Sequence, residues 1–204
     1  MGVYAKFVLP RFIDLAMKNK EAARVRRDWV PHARGDVLEV GIGSGLNLPF
    51  YSREVGRVYG VEPSLELVKL ARKRSAGQAI NVEFFSQSAE ETLPLADQSV
   101  DTVVTTWTLC SIADPPRALR QMKRVLKPSG RLIFVEHGQA PDAEVSAWQD
   151  RLTPLWKRIG GGCHLNRKID SLLLEAGFEI NELRTSYLPG PRPMTYTYQG
   201  FAHV

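Results

Sequence analysis

Apolar positions along the chain follow two different rhythms. Short runs with few interruptions, Val37-Leu38-Glu39-Val40, Arg57 to Val61, Val82 to Phe85, Thr102 to Thr106 and Arg131 to Val135, predict strands buried on both faces. Between them apolar residues return every three or four positions, the spacing of a helix with one buried side. Leu67, Val68 and Ala71 form one such stripe, and Ala118, Leu119, Met122, Val125 and Leu126 a second. Val145, Trp148, Leu152, Leu155 and Ile159 form a third, which reads as core, and Ile169, Leu172 and Leu173 a fourth. Phe178 to Tyr187 and Met194 to Val204 predict two last strands, joined through the stiff linker Pro189-Gly190-Pro191-Arg192-Pro193.

The punctuation agrees with these elements. Ser64 after Pro63 is a helix N-cap, and Asp114 is another, with proline at the first helical position. The helix from Asp114 is expected to stop at Lys127-Pro128-Ser129-Gly130, Gly177 closes the fourth stripe, and Pro154 predicts a kink in the third. Leu46 to Ser52 reads as a helix interrupted early by Pro49. Residues 4 to 30 read as one or two amphipathic helices, with Phe12, Ile13, Ala16 and Met17 on one side, suited to cover a pocket or to lie on a membrane surface, the cover being preferred. The chain has no internal repeats.

At 204 residues, 44% apolar and 24% charged, this is one domain or a domain with a cap, and neither disorder nor a fibrous class fits. The net charge of +5 is modest; Lys18, Lys20, Arg24, Arg26, Arg27 and Arg34, and later Lys69, Arg72, Lys73 and Arg74, read as solvated helix faces, so no nucleic-acid partner is expected. Two cysteines are too few for a disulfide framework and fit a reducing compartment. No apolar run has the length of a membrane span, and Lys, Pro, Arg and Asp interrupt Val3 to Asp14, so a signal peptide is not expected and the default location is cytoplasmic.

The first strand runs into Gly41-Ile42-Gly43-Ser44-Gly45-Leu46-Asn47, where alternating glycines let a backbone approach a ligand closely. A dinucleotide fingerprint needs a third glycine where Leu46 stands, and no Gly-Lys-Ser/Thr follows for a phosphate loop. Glu62, 21 positions beyond Gly41 at the end of the second strand, offers two acceptor oxygens to the two hydroxyls of a ribose. Asp114-Pro115-Pro116 is not an Asp-Pro-Pro-aromatic grip on a base amine, because Thr106 to Cys110 occupy the strand end and Arg117 is not aromatic.

Glu39-x-Gly41-x-Gly43-x-Gly45, the phrase Leu93 to Asp101 before the fourth strand, and the helix, Leu-Lys-Pro-x-Gly turn and strand that end at His137 resemble the class I S-adenosylmethionine-dependent methyltransferases. That resemblance, with seven strands counted, implies an α/β fold: a three-layer, doubly wound, mostly parallel seven-stranded sheet, Rossmann-like, last strand antiparallel, with an N-terminal helical cover at 1–34. The cofactor-binding domain is expected at 35–204, with a helical acceptor-pocket insertion at about 138–168. The implied cofactor is S-adenosyl-L-methionine. Its contacts are expected from Glu39 on the amino group, from Gly41, Ile42, Gly43, Gly45 and Asn47 in the loop, from Glu62 and Pro63 at the ribose, from Ser88, Ala89 and Glu90 at the adenine, and from Thr106 and Leu109 after the fourth strand.

Thr108-Leu109-Cys110-Ser111, Val135-Glu136-His137, Trp148, Pro154-Leu155-Trp156 and Gly162 to Arg167 are similar to the small-molecule thiol S-methyltransferases of the methyltransferase-like seven type. Those animal enzymes carry a hydrophobic N-terminal anchor that the interrupted segment here does not match, so at most a weak peripheral membrane contact is expected. A thiol acceptor must lose a proton, which makes His137 the candidate base and Glu136 its charge-balancing neighbour, although adjacent strand residues point to opposite faces. Cys110, Cys163 and Asn166 are expected in the acceptor pocket. Cys163-His164 alone is too little for a metal site, and no metal is expected. Three functions stay open: transfer to a small molecule, transfer to a phospholipid amine or quinone at a membrane surface, and cofactor binding without catalysis. Oligomeric state is not encoded in any pattern found.

Overall fold

The computed structural model of the chain describes residues 8–204; the readings made above for Val3 to Phe7 lie outside them. Two helices come first, α1 (Leu9–Ala16) and α2 (Lys20–Trp29). There follow β1 (Gly35–Val40), β2 (Val55–Val61), α3 (Leu65–Ser75), β3 (Asn81–Phe85), β4 (Val100–Thr106), α4 (Pro115–Val125) and β5 (Leu126–His137). The chain ends with α5 (Ala143–Ile159), α6 (Ile169–Glu175), β6 (Glu179–Tyr187) and β7 (Tyr196–His203). The sheet has seven strands in the order β3-β2-β1-β4-β5-β7-β6. The first five are parallel, and β7 runs antiparallel to both β5 and β6.

The apolar runs fold as strands because both sheet faces are covered. Along β5, Leu132 and Phe134 enter one core, with Leu38, Leu119 and Leu173, while Ile133 and Val135 enter the other, with Val37, Trp29 and Val58. All four of those β5 side chains are fully buried, so alternate residues serve opposite layers. The order reverses between β1 and β4, which opens a crevice at their carboxyl ends, where open α/β sheets bind ligands. α4 starts as its sequence directs: the Asp114 side chain accepts from Arg117 N at 3.0 Å, Pro115 follows, and Ala118, Leu119, Met122 and Val125 are buried without remainder.

Three local expectations change. The helix expected over Leu46 to Ser52 is only a 3-10 turn at Leu48–Phe50. Pro49 removes a donor, and Tyr51 turns extended so that its hydroxyl reaches Glu39 at 2.7 Å. The Lys127–Gly130 turn does not separate α4 from the fifth strand but sits within β5. Val100 pairs with Leu126 and Thr102 with Arg131, so four residues bulge opposite Asp101, which Lys127 Nζ meets at 2.7 Å.

The third change concerns α5, whose apolar stripe is not core: Trp148 is 54% exposed and Leu155 61%, and Ile159 is exposed too. The helix instead docks through Val145, Gln149 and Thr153. Gln149 is fully buried because its amide is satisfied, accepting from Ala140 N at 2.8 Å and donating to Gly138 O at 3.0 Å and Pro193 O at 3.1 Å.

Candidate active site

The crevice at the β1/β4 reversal is a cavity of about 560 Å³, within the size range of cofactor pockets. Its floor is the glycine turn. Gly41 has φ +69°, and its N–H, with that of Ile42, is spent on Val61 O at 2.8 and 3.1 Å, tying the turn to the end of β2. Gly43, at φ +54°, has only one backbone oxygen within 3.8 Å of where a Cβ would stand, so its open side is free for a ligand. Gly45 lies behind it, packed on Ala71 of α3.

Glu39 is buried beneath the turn. Its carboxylate accepts from Asn47 Nδ2 at 2.9 Å as well as from the Tyr51 hydroxyl, and Asn47 Oδ1 accepts from Arg26 Nε at 3.0 Å. Asn47 Nδ2 also reaches Thr106 Oγ1 at 3.0 Å, which couples the loop to β4. Burial raises the Glu39 carboxyl to about 7, against the opposing pull of Tyr51, Asn47 and Arg26, and lowers the Arg26 guanidinium to about 10. Arg26 therefore corrects the reading of the early basic residues as solvated: it is buried and stacks over the Trp107 ring at 4.9 Å. Arg74 departs likewise, donating to Ser44 O and to Asp14 Oδ1 of α1.

Glu62 stands where β2 ends, beside Gly43. It accepts from Ser64 N at 2.8 Å and from the Gly43 amide, and burial raises its carboxyl to about 7. Pro63, Ser88, Ala89 and Glu90 also line the cavity. The Glu90 carboxylate is held by Ala113 N at 2.9 Å and Asp114 N at 3.1 Å, so it braces the entry to α4 while facing the cavity.

The far end is built by α1, the loop after β4, the end of β5 and the turn after α5. Phe12, Ile13 and Met17 close one side, Trp156 and Gly160 another, and Thr106 and Cys110 the base. His137 faces this end; it is 6% exposed, and neither ring nitrogen has a hydrogen-bond partner. Glu136 points through the opposite sheet face, as strand alternation requires. The expected Glu136–His137 partnership gives way to a different one: Glu136 accepts from Thr105 Oγ1 at 2.7 Å, from Thr108 N at 2.9 Å, and from the Leu109 and Cys110 amides. Burial raises its carboxyl to about 7. Glu136 thus fixes the loop that carries Cys110 rather than orienting the imidazole.

Cys163 stands in the cavity wall with its sulfur 3.5 Å from that of Cys110. Asn166 is placed elsewhere, donating to Asp150 Oδ1 at 2.7 Å outside the lining, and Leu109 is buried beneath the loop. Among the described residues no group of three or more His, Cys, Asp or Glu side chains is arranged to hold a metal ion, and no helix is long and apolar enough to cross a membrane. Arg26, Tyr51, Trp107 and Trp156 were not anticipated at the site. An aromatic or cationic side chain carries no local signal of which carboxylate the fold will bring it to meet.

The fit to an S-adenosyl nucleoside is chemical as well as spatial. A carboxylate beside an open glycine suits a vicinal diol, and a buried acid with a neighbouring guanidinium suits the two charged ends of an amino acid. The family described as "Methyltransferase domain" matches residues 38–134. The chain is 37% identical over 158 residues to thiol S-methyltransferase TMT1B of Rattus norvegicus, covering 76% of this chain and 64% of that protein, so it spans just under two thirds of that relative's length. It is 34% identical over 195 residues to thiol S-methyltransferase TMT1A of Homo sapiens, covering 91% and 79%. A solved S-adenosylmethionine-dependent methyltransferase from Methanosarcina mazei superposes with a TM-score of 0.65 at 25% identity, over 82% of this chain and 91% of that one. With the reversal-point cavity and its glycine floor, these likenesses place the chain in the class I S-adenosylmethionine-dependent methyltransferases.

Proposed function

We propose that the protein moves a methyl group from S-adenosylmethionine to the thiol of a small, largely apolar molecule. The observation that carries this reading is His137, a buried imidazole with both nitrogens unpartnered at the end of the cavity away from Glu62. When bound, the cofactor supplies a methyl group on a positively charged sulfur. Glu62 takes the ribose hydroxyls, while Glu39 and Arg26 meet the ammonium and carboxylate of the amino-acid end. The helices α1 and α2 act as a cover, since Phe12 and Met17 shield the reacting end from water, and the turn after α5 completes the acceptor pocket. A ring nitrogen of His137 takes the acceptor proton, leaving the sulfur lone pair in line with the methyl group.

Label transfer from the cofactor to a panel of alkyl thiols, hydrogen sulfide, phosphatidylethanolamine, quinone precursors and RNA tests this; label on a thiol is expected. An ordinary thiol is ionised to only about one part in thirty at pH 7, so His137→Ala is expected to lower turnover about 30-fold there and less than about twofold at pH 9.5. A loss independent of pH would remove the base assignment. Cofactor binding without any label transfer would favour a non-catalytic module.

A second reading, action at a membrane surface, is favoured by exposed apolar side chains on the two helices that reach the cavity: Phe12 and Leu15 of α1, at 53% and 74%, with Trp148, Leu155 and Ile159 of α5. Arg151 and Arg158 border that stripe on α5 and suit an anionic headgroup layer. Under this reading the chain sediments with anionic vesicles, and Phe12→Ser with Leu155→Ser together weaken that binding by about tenfold or more. Absence of wild-type sedimentation would leave the aqueous thiol reading alone.

A further inference from the structure

Cys110 and Cys163 are the only cysteines in the chain, and the fold brings them together from loops 53 positions apart. Cys110 sits in the loop after β4 whose amides Glu136 grips. Cys163 sits in the turn after α5, where Gly161 and Gly162 both have positive φ. The two backbones are fastened to each other: His164 N donates to Cys110 O at 2.8 Å, and a Cβ on Gly162 would stand only 3.0 Å from Ser111 O. The sulfurs are 3.5 Å apart, both residues line the cavity, and the unpartnered His137 imidazole lines the same end.

We propose that Cys110 and Cys163 form an oxidisable dithiol that closes into a disulfide within the acceptor end of the cavity, shutting off methyl transfer until it is reduced. The inference rests on reading that end of the cavity as the acceptor site. The oxidant is a hydroperoxide. The Cys163 thiolate attacks the terminal peroxide oxygen; the S–O bond forms, the O–O bond breaks, and the departing oxygen leaves as water or an alcohol after taking a proton. The Cys110 sulfur then attacks the Cys163 sulfur; the S–S bond forms, the S–O bond breaks, and the hydroxyl leaves as water with the proton given up by Cys110. Two thiols have lost two electrons and two hydrogens, and the peroxide has gained them.

The order of attack follows from the surroundings. The hydrogen bond with Cys110 holds the Cys163 thiol well below the ordinary thiol range despite its burial, whereas Cys110 is pushed well above it. Closure asks the sulfurs to approach by about 1.5 Å, to the ordinary disulfide length, and the backbone bond between His164 and Cys110 keeps the two side chains opposite each other for it. The closed bond draws that turn onto the Cys110 loop and leaves neither thiol to meet an acceptor.

The test treats the reduced full chain with an equimolar amount of hydrogen peroxide and no acceptor. The free thiols are expected to fall from two to none in a monomeric species lighter by two hydrogen atoms, and dithiothreitol is expected to restore both. Label transfer by the oxidised protein should fall by about tenfold or more and return on reduction, while calorimetric cofactor affinity changes by less than about threefold. Cys110→Ser, treated alike, should hold a sulfenic acid at Cys163 that dimedone captures. Persistence of both thiols, or disulfides formed only between chains, would overturn the inference, as would a closed disulfide with unchanged transfer. Thiol count and mass are read without an acceptor, so their failure is distinct from failure of the methyltransferase reading, which appears as no label transfer by the reduced protein.

Discussion

Glu62→Ala is expected to raise the dissociation constant for S-adenosylmethionine by roughly two orders of magnitude at pH 8, measured by calorimetry. Two hydroxyl donors to one carboxylate contribute about 1.5–3 kcal/mol each, and about 3 kcal/mol survives after the relief of an otherwise buried charge, which is roughly a hundredfold in affinity. The pH profile separates this from general damage. Burial holds the free carboxyl to about 7, and only the ionised form accepts from both hydroxyls, so binding releases a proton. Glu62 alone should therefore make affinity climb about tenfold per unit as the pH rises toward 7 and level off above it. Glu62→Gln keeps one acceptor oxygen; it is expected to lose about tenfold and to flatten the profile by one proton, any remaining slope belonging to Glu39, which burial also raises to about 7. A wild-type profile flat between pH 5.5 and 8 would disprove the assignment.

Gly41→Ala is expected to be worse, weakening the fold and the site together. At φ +69° an alanine is strained by about 1–2 kcal/mol before any contact is counted. Its Cβ would then stand 2.2 Å from Thr108 Oγ1, 2.4 Å from Cγ2 and 2.9 Å from Cβ. Thr108 cannot simply swing away, because its amide is bonded to Glu136 and its hydroxyl to Thr106 O at 3.1 Å. The loop must move, and Cys110 moves with it. A total of about 3–4 kcal/mol corresponds to a fall of about 10 °C in the thermal midpoint, and cofactor affinity should drop by more than about a hundredfold. Adding Thr108→Gly removes all three obstructing atoms and should recover about half of the stability, the backbone strain remaining. No recovery in the double variant would mean that the turn, rather than the contact with Thr108, sets the requirement.

What the sequence disclosed and what it concealed divide along physical lines. Strands β1 to β5 and the helix at Asp114 are dictated locally, by apolar runs, caps and prolines, and they were legible. So was the glycine turn, since positive φ at Gly41 and Gly43 is a demand that few residues meet. The α5 stripe misled because periodicity reports that a helix is amphipathic but not which side finds a partner; Gln149, with all its amide groups engaged, made a polar side the buried one. The Arg26, Asn47 and Glu39 chain was hidden for a related reason. A cation in a basic stretch reads as solvated, and only tertiary placement brings it to an acid. Glu136 and His137 show the limit of adjacency: neighbours in sequence, they serve opposite faces of the sheet.

One feature of the cavity bears on how such a protein can diversify. Its cofactor floor comes mostly from one unbroken stretch, between β1 and the loop after β4, whereas the far wall is assembled from α1 at one end of the chain and from Trp156, Cys163 and Met194 toward the other. Side chains of α1 and of the segments after α5 can change to admit a new acceptor while the glycine floor, Glu62 and Arg26 go on holding the methyl donor, so relatives sharing the central stretch need not share a substrate.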